Sequence, residues 1–317
     1  MKLIKCVNCR NIDFRLLFIT QDYLSKELFL IEKCTQCGLV RTHIDSTLSS
    51  SKYYPPKYYG QKGRRFLTAI EKVIYFSRTM RGREIHRLFG KPGVILDIGC
   101  GRGIMLGYLK KIGWKVMGTE IDSGLVNISK HRGLTVYKNN DITKLPIPLK
   151  SVDVITLFHV LEHIPDPVAT IKYSKRLLKP NGVMIIEVPN FSSFQAKISG
   201  SAWFHLDAPR HLFHFTKTVL ESLILSNGFK IMKESTYSFE YGYFGMLQSM
   251  LNKITSQNNL LYIVFKRNAL VNKTIRLKDI LLNLLLLMPC VFVSIPIELL
   301  ASTFHRGGVL RIVFKKP

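Results

Sequence analysis

The chain has 317 residues, of which 47% are hydrophobic, 11% aromatic and 21% charged. Such a composition can bury a full core, which excludes a disordered, collagen-like or low-complexity protein, and the length predicts two or three structural units. Lysine and arginine outnumber aspartate and glutamate by 46 to 21, a net charge of +25 that favours an anionic partner: nucleic acid, a phosphorylated substrate or a lipid surface.

Four of the six cysteines form two C-x-x-C pairs near the N-terminus. Two such pairs can place four thiolates around a tetrahedral zinc ion, so residues 1–50 are predicted to form a zinc ribbon with a hairpin of residues 15–20 against 28–32. The predicted ligands of this structural zinc are Cys6, Cys9, Cys34 and Cys37. The alternatives are buried or redox-active dithiols, or a ribbon that no longer binds metal.

Residues 51–90 separate this ribbon from the next domain. Tyrosines and prolines at positions 53–59 indicate a stiff aromatic linker, and a basic helix is predicted over residues 64–89. The basic residues form either a solvated helix face beside the core or a surface that binds phosphate.

A short apolar run at 94–98 predicts a buried parallel strand, and the sequence GCGRG at 99–103 follows it before an apolar helical segment. Glycines there let the backbone approach a ligand at a helix N-terminus. A second strand ends at Glu120, where an acid can accept the hydroxyls of a ribose. Asp97, at the end of the first strand, would repel a pyrophosphate but suits an ammonium and a sulfonium, so we predict a cationic cofactor.

The sequence LDIGCGRG at 96–103 resembles the first motif of class I S-adenosylmethionine-dependent methyltransferases. Segments 140–142, 151–163 and 177–190 resemble, in order, the adenine-contacting turn, the fourth strand with its loop, and the fifth strand of that family. The resemblance implies an α/β, Rossmann-like sheet of seven strands in the order 3-2-1-4-5-7-6, with an antiparallel last strand. The core would cover residues 91–240.

The same resemblance implies a set of contacts with S-adenosylmethionine. The residues concerned are Asp97, Gly99, Gly101, Glu120, Asp141 and His159. The first three would face the methionine part of the cofactor, the fourth its ribose, and Asp141 its adenine amine. The alternative is a doubly wound domain whose pocket has degenerated.

A methyl group on a sulfonium is already activated, so the enzyme mainly aligns the acceptor and, where needed, removes its proton. Five histidines are candidate bases: His159, His163, His205, His211 and His214. We predict His211 as the preferred base, and His163 and His159 as the other catalytic residues. Alternatively, Arg210 and His211 close the pocket by bonding backbone carbonyls.

His159, Glu162 and His163 are spaced so that a helical turn would place them on one face, where they suit a divalent ion. This segment resembles the metal-binding segment of ubiquinone-pathway O-methyltransferases, which tend to carry an acid at the position of His159. The alternative is that Glu162 and His163 fix the loop by hydrogen bonds without a metal.

Residues 280–297 are almost wholly apolar but borderline in length for a bilayer span, and Pro289 and Pro296 are expected to break the helix. The segments 228–234 and 308–315 are predicted to be strands six and seven of one sheet. Both would then lie on the same side of any membrane, which excludes a single crossing between them.

Residues 241–305 are therefore predicted to be a helical, apolar insertion that dips into one leaflet and returns, with residues 306–317 as the last core strand. The basic residues of the insertion favour an anionic membrane surface. Alternatives are a soluble helical cap over the active site, or a true span with strand seven absent from the sheet. The sparse cysteines and the lack of an apolar leader predict a cytoplasmic protein, peripheral or monotopic at the membrane.

The predicted function is methyl transfer to a small or lipid-linked acceptor. A zinc ribbon ahead of such a core resembles nucleotide-sugar C-methyltransferases, which suits a sugar or polysaccharide precursor, whereas bound metal would favour a lipid phenol. One alternative is a base methyltransferase that binds RNA, but residues 189–191 (PNF) depart from the signature of enzymes that methylate base amino groups. Nucleic acid is therefore not the expected partner. The other alternative is a non-catalytic module that binds the cofactor.

Overall fold

The computed structural model describes residues 5–44, 50–54, 66–139, 141–266 and 276–317. Most of the predicted aromatic linker, the predicted start of the basic helix at residue 64, and Asn140 lie outside these residues. The strands are β1 (Phe14–Gln21), β2 (Leu28–Cys34), β3 (Val40–Thr42), β4 (Val94–Ile98), β5 (Lys115–Glu120), β6 (Thr135–Lys138), β7 (Val152–Phe158), β8 (Leu178–Pro189), β9 (Phe213–His214), β10 (Lys230–Ser235) and β11 (Val309–Lys315).

The helices begin and end where local signals favour it. They are α1 (Thr68–Phe89), α2 (Ile104–Lys111), α3 (Ser123–His131), α4 (Pro167–Leu177), α5 (Phe194–Ser199), α6 (Lys217–Leu225), α7 (Gly242–Ile254), α8 (Leu260–Phe265) and α9 (Leu277–Thr303). The side chains of Asp122, Asp166, Ser193 and Thr216 accept a backbone N–H in the first turns of α3, α4, α5 and α6. Gly90, with φ 79°, ends α1 in a left-handed cap.

The main sheet has seven strands in the order β10-β11-β8-β7-β4-β5-β6. In this sheet β11 runs antiparallel to both of its neighbours, β10 and β8, and the other described strand pairs are parallel. This confirms the predicted fold class, strand order and antiparallel last strand. The central strands are buried on both faces, as their continuous apolar sequences predict.

Alternate residues of the central strands supply two apolar clusters, one on each face of the sheet. One cluster contains Leu96, Leu157 and Ile186, and the other contains Ile95, Val154 and Ile185. The carboxyl ends of the parallel strands meet at one edge, which in sheets of this type is where ligands bind.

A second, smaller sheet has the order β1-β2-β3-β9. The antiparallel pairing of β1 with β2 confirms the predicted hairpin. The fourth strand, β9, comes from the distant loop after β8, and its residues pair as Val40 with His214 and Arg41 with Phe213. The N-terminal ribbon is therefore continuous with a loop of the core.

The prediction that Pro289 and Pro296 break the apolar helix is wrong, because α9 continues through both. Both prolines lie on the exposed side of the helix, whereas the opposite side packs against α7. A proline inside a helix costs about 3 kcal/mol. We attribute the continuity of α9 to this packing, which holds both halves of the helix on α7.

The two sides of α9 show an inverted polarity. The side that faces the protein carries polar residues: Asp279, Asn283, Ser294 and Glu298, all buried. The outer side carries large apolar residues that are exposed: Leu281, Leu284, Leu285, Met288, Phe292, Ile295, Leu299 and Leu300. Among the described residues, α9 is the one helix long and apolar enough to cross a membrane, and only 17% of its apolar window is buried.

Candidate active site

The glycine loop after β4 has a left-handed backbone at Gly99 (φ 73°) and Gly101 (φ 55°). A Cβ atom on Gly99 would lie 2.4 Å from a methyl carbon of Val160, so both backbone and packing require glycine there. A Cβ atom on Gly101 would meet no atom of the described residues within 4 Å. The loop is therefore open at Gly101, just before α2 begins.

Two buried carboxylates frame this loop. Asp97 is 6% exposed and accepts a hydrogen bond from the Thr156 hydroxyl at 2.6 Å. Glu120, the last residue of β5, accepts backbone N–H groups from Gly101 (3.0 Å) and Ile121 (2.7 Å). Burial raises the pKa of Glu120, and it raises the pKa of Asp97 to about 6. Two acids thus lie at the ends of neighbouring strands, beside the open part of the glycine loop.

The donor set fits the cofactor that the sequence implies. Asp97 can accept hydrogen bonds from an ammonium group. Glu120 accepts three backbone N–H groups and can accept one further hydrogen bond, from a ribose hydroxyl. The open side of Gly101 leaves room for a ligand. Asp141 instead accepts the N–H and the hydroxyl of Thr143, and these bonds lower its pKa. Its contact with adenine, like the other cofactor contacts, stays a prediction.

Cofactor affinity is expected to fall about tenfold per pH unit below about pH 6, because protonation of Asp97 removes the negative charge that would face the ammonium group. Isothermal titration with S-adenosylhomocysteine between about pH 5 and pH 8 measures this. Asp97→Asn should bind more weakly at pH 8 and lose most of the pH dependence. An unchanged pH slope in that variant would show that another group is responsible.

Beside the loop, two histidines and one glutamate form a buried cluster. The side-chain nitrogens Nδ1 of His163 and His211 lie 2.7 Å and 2.8 Å from the carbonyl oxygens of Arg210 and His205. Because a carbonyl only accepts, both Nδ1 atoms must donate, which leaves both Nε2 atoms without a proton in the neutral ring. Ligand atoms of Glu162, His163 and His211 lie within 4.8 Å of one another.

The carboxylate of Glu162 is 1% exposed, and neither of its oxygens has a hydrogen-bond partner within the described part of the chain. Its Oε1 lies 4.0 Å from His211 Nε2 and 3.5 Å from His159 Nδ1. A buried carboxylate that accepts no hydrogen bond from the described residues, and whose nearest cationic group among them is His159 at 3.5 Å, has room for a further ligand, proton or cation. Burial also holds the pKa of His211 well below its usual value, so that ring is neutral near pH 7.

His159 does not share a helical face with Glu162 and His163, so that expectation is wrong. Its φ is 56°, and only Leu161–His163 form a short 3₁₀ turn. His159 Nε2 lies 3.0 Å from Glu187 Oε1, and its ring packs on that of Tyr241 at 3.8 Å between centroids. Burial opposes its charge, but the neighbouring carboxylates of Glu162 and Glu187 raise the pKa of His159 overall. His159 is thus poorly suited to accept a proton.

The other two candidate histidines are occupied. His205 Nε2 lies 3.0 Å from the carbonyl oxygen of Tyr241, and His214 Nε2 lies 3.0 Å from the hydroxyl of Thr42. Burial lowers the pKa of each to about 3. Of the five histidines, His163 and His211 are therefore the ones that the structure brings to Glu162 with free Nε2 atoms.

Sequence reasoning missed a buried ionic network next to His159. Glu187 is fully buried and accepts from Arg81 Nη2 (2.5 Å) and Arg311 Nε (2.5 Å) as well as contacting His159. Glu240 pairs with Arg78 at 3.2 Å. The sequence feature that could have predicted this network is Glu187, a lone acid inside the apolar strand β8, because a buried acid needs partners of opposite charge.

The four N-terminal cysteines come together as predicted. The Sγ atoms of Cys6 and Cys37 are 3.6 Å apart, those of Cys9 and Cys34 are 3.5 Å apart, and all four lie within 4.8 Å of one another. Tetrahedral zinc with Zn–S bonds of ~2.3 Å needs sulfurs about 3.8 Å apart. Burial opposes ionisation of Cys34, but backbone N–H groups lower its pKa to about 6. The set fits a structural zinc ion.

A seven-stranded sheet of this order, with a glycine loop and an acid at the ends of its first two parallel strands, is the architecture of class I S-adenosylmethionine-dependent methyltransferases. A family model for a methyltransferase domain matches residues 73–234, just over half of the chain. The chain therefore belongs to the methyltransferase domain family.

Relatives and solved structures agree with this family. The chain is 31% identical over 156 residues to a ubiquinone biosynthesis O-methyltransferase of Actinobacillus pleuropneumoniae, a match that covers 45% of the chain and 66% of that protein. A protein of the same description from Coxiella burnetii is 32% identical over 116 residues, which is 34% of the chain and 50% of the relative. The chain thus spans less than two thirds of the length of either relative.

Among solved structures, a candidate sarcosine dimethylglycine methyltransferase from Galdieria sulphuraria matches with a TM-score of 0.50 at 13% identity. The match covers 80% of this chain and 94% of that chain. At this identity the likeness concerns the fold alone.

Proposed function

We propose that the protein transfers a methyl group from S-adenosylmethionine to a hydroxyl or an acidic carbon of a small or lipid-linked acceptor. The observation that carries this proposal is the buried cluster of Glu162, His163 and His211. Two members of the cluster, Glu162 and His163, come shortly after Val160, and the side chain of Val160 packs on Gly99 of the cofactor loop. The cluster is therefore next to the cofactor loop.

When bound, the cofactor supplies an activated methyl group. The residues of the chain would align the acceptor and receive its proton. Neutral His211 offers Nε2 as the acceptor of that proton, and its Nδ1–H bond to the carbonyl of His205 fixes this tautomer. The carboxylate of Glu162, 4.0 Å away, would stabilise the imidazolium that forms. Burial excludes water from the transfer.

A second candidate mechanism is metal-assisted O-methylation of a lipid phenol. Two Nε2 atoms without protons and a carboxylate that accepts no hydrogen bond from the described residues form a ligand set for a divalent cation. Each histidine donates Nδ1–H to a carbonyl, as metal-binding histidines commonly do. Glu162, His163 and His211 would hold the ion, which would lower the pKa of a bound phenol. His159 would lie beside the site and outside this ligand set.

Radiolabelled methyl transfer into separate fractions of lipids, nucleotide sugars and RNA tests the proposal. We expect label in the lipid or nucleotide-sugar fraction. Label in RNA alone would support the alternative of a base methyltransferase, and cofactor binding without label in any fraction would support a non-catalytic module. Repeating the assay after EDTA treatment and restoration of zinc, with and without Mg²⁺ or Mn²⁺, separates the two mechanisms, because both need the structural zinc and only the metal-assisted one requires the second ion.

We further propose that α9 lies in the interfacial plane of an anionic membrane at its cytoplasmic face. The strands on either side of the insertion, β10 and β11, pair in one sheet, so a single crossing by α9 is excluded. The outward face of α9 is apolar, while its inward face mixes buried polar residues with Leu286, Leu287 and Cys290. A helix on the surface of a water-soluble domain instead exposes its polar face. The net charge of +25 favours anionic headgroups.

The double variant Leu285→Ser/Phe292→Ser is expected to weaken binding to phosphatidylglycerol-containing vesicles by at least about tenfold, because each side chain buried in lipid contributes about 1.5–3 kcal/mol. Vesicle flotation measures the bound fraction. The control Ile12→Ser/Leu16→Ser removes two exposed apolar side chains from the N-terminal module and should bind like the wild type. Equal loss in both double variants would contradict a specific role of α9.

A further inference from the structure

A cavity of about 330 Å³ lies on one face of the main sheet, between α1 and the strands β7, β8, β11 and β10. Its floor is apolar and includes Phe158, Ile185 and Val313. This volume is within the range of small-molecule sites. None of the predicted cofactor, zinc or catalytic residues lines it.

The walls of this cavity have an excess of positive charge. Four cations line it, and one carboxylate does: Arg81, Arg87, Lys233, Arg311 and Glu84. A second acid, Glu187, lies behind the wall and is fully buried. Positive charge therefore exceeds negative charge by two, and low-dielectric apolar walls strengthen the attraction for an anion.

The cations differ in how fully they are compensated. Arg81 is 4% exposed; its Nη2 bonds Glu187, whereas its Nη1 is buried and has no hydrogen-bond partner within the described residues. A buried guanidinium N–H without an acceptor is destabilising. A small rotation of the guanidinium toward an anion in the cavity would satisfy it. Arg87 and Lys233 are exposed at the rim, where they can contact an entering ligand.

The cavity is connected to the candidate active site through one carboxylate. Glu187 bonds Arg81 and Arg311 on the cavity side and lies 3.0 Å from His159 on the other side. Two cations of the cavity therefore share one buried carboxylate with His159, so the cavity adjoins the candidate active site. Planar, forked guanidinium groups and a lysine suit phosphate oxygens.

We propose that this cavity binds the phosphate or diphosphate group of the methyl acceptor. That the ligand is the methyl acceptor rests on the proposed function, whereas the binding of diphosphate in the cavity does not. The diphosphate belongs either to a soluble nucleoside diphosphate sugar or to a lipid diphosphate at the membrane surface; the recognised chemistry is the same.

Isothermal titration of the full chain with inorganic diphosphate, without cofactor, tests the site. The wild type should bind, and Arg87→Gln/Lys233→Gln should weaken binding at least about fivefold. Glu84→Gln should tighten binding about twofold or more, because it removes the one acid at the cavity surface. The matched control Arg83→Gln/Lys230→Gln changes the same charges on α1 and β10 outside the cavity and should bind like the wild type.

Absence of diphosphate binding to the wild type, or equal weakening in the test and control double variants, overturns the proposal. Because titration needs no methyl transfer, a failed transfer assay leaves this test intact. Conversely, methyl transfer to a phosphate-free acceptor, undiminished by Arg87→Gln/Lys233→Gln, overturns the inference and leaves the proposed reaction standing.

The source of the diphosphate is separated by two further titrations. Uridine diphosphate glucose in solution and farnesyl diphosphate in phosphatidylcholine vesicles are compared for the wild type and both double variants. If Arg87→Gln/Lys233→Gln selectively weakens the binding of one of these ligands, the result supports the site and shows whether the diphosphate comes from a nucleotide sugar or from a lipid. If neither ligand is affected, the cavity does not bind diphosphate-linked acceptors.

Discussion

Glutamine in place of His211 is expected to lower kcat by about 10²–10⁴-fold and to leave cofactor affinity within about twofold of the wild type. The side chain is neutral because burial holds its pKa well below the usual value, and its tautomer is fixed by the bond from Nδ1 to the carbonyl of His205. Its Nε2 atom lies 4.0 Å from Glu162 Oε1, and this carboxylate can stabilise the protonated ring. A glutamine amide cannot accept the proton.

The matched control is His214→Gln. His214 lies on the same loop and is equally buried, but its Nε2 is already bonded to the hydroxyl of Thr42. We expect kcat to change by less than about threefold, with any loss in stability detected by thermal unfolding. Single-turnover kinetics with saturating cofactor measures the rate of methyl transfer for both variants. If His211→Gln and His214→Gln lose activity equally, the loop acts by packing and proton transfer to His211 is excluded.

Much of the methyltransferase core could be predicted from the sequence because its signals are local. A continuous apolar run predicts a buried parallel strand, and glycines directly after it are needed where φ is positive, as at Gly99 and Gly101. Glu120 was identifiable because it ends the next strand, and the ends of parallel strands meet at one edge. The strand order followed from the resemblance of four segments to one family.

The histidine cluster could be predicted only in part. Spacing along the chain grouped His159 with Glu162 and His163 on the assumption of a helical backbone. With a φ of 56°, His159 instead lies between two carboxylates, with Nε2 at 3.0 Å from Glu187 and Nδ1 at 3.5 Å from Glu162. The third member, His211, comes from a loop far along the chain. No local pattern specifies contacts of that kind, which depend on how the loop after β8 folds back over the sheet.

For the apolar insertion, the local sequence features were clear but the packing partner of the helix could not be predicted. The sequence identified the length of the apolar segment, its prolines and its lack of charge, but predicted that Pro289 and Pro296 break the helix. Packing along α7 yields one helix of 27 residues. Its inverted polarity could not be seen without the partner, because Glu298 appears in sequence as a polar residue ending the run. In the structure it accepts N–H groups from Gln195 and Gly308 at the centre of the domain.

Loss of zinc is expected to lower kcat by at least about 100-fold and to change cofactor affinity by less than about threefold. Zinc would fix the ends of the β1–β2 hairpin, and the same sheet continues through β3 to β9 beside His211. Thr42 in β3 donates its hydroxyl to the carbonyl of His211 at 2.6 Å. Asp22, at the end of the hairpin, pairs with fully buried Arg210. The ribbon thus supports the loop that carries the candidate base.

Cys34→Ser is the variant of choice, because Cys34 is buried at the end of β2, and Cys290→Ser is its matched control. Cys290 is also buried but lies on α9, away from the four-cysteine cluster. Zinc content by atomic emission, cofactor titration and kcat should be measured on all three proteins. The cofactor loop follows β4 of the seven-stranded sheet, whereas the cysteine cluster and β9 belong to the separate four-stranded sheet, so cofactor affinity should survive zinc loss. If kcat persisted at full value in a zinc-free, folded variant, the ribbon would have no role in holding His211 in place.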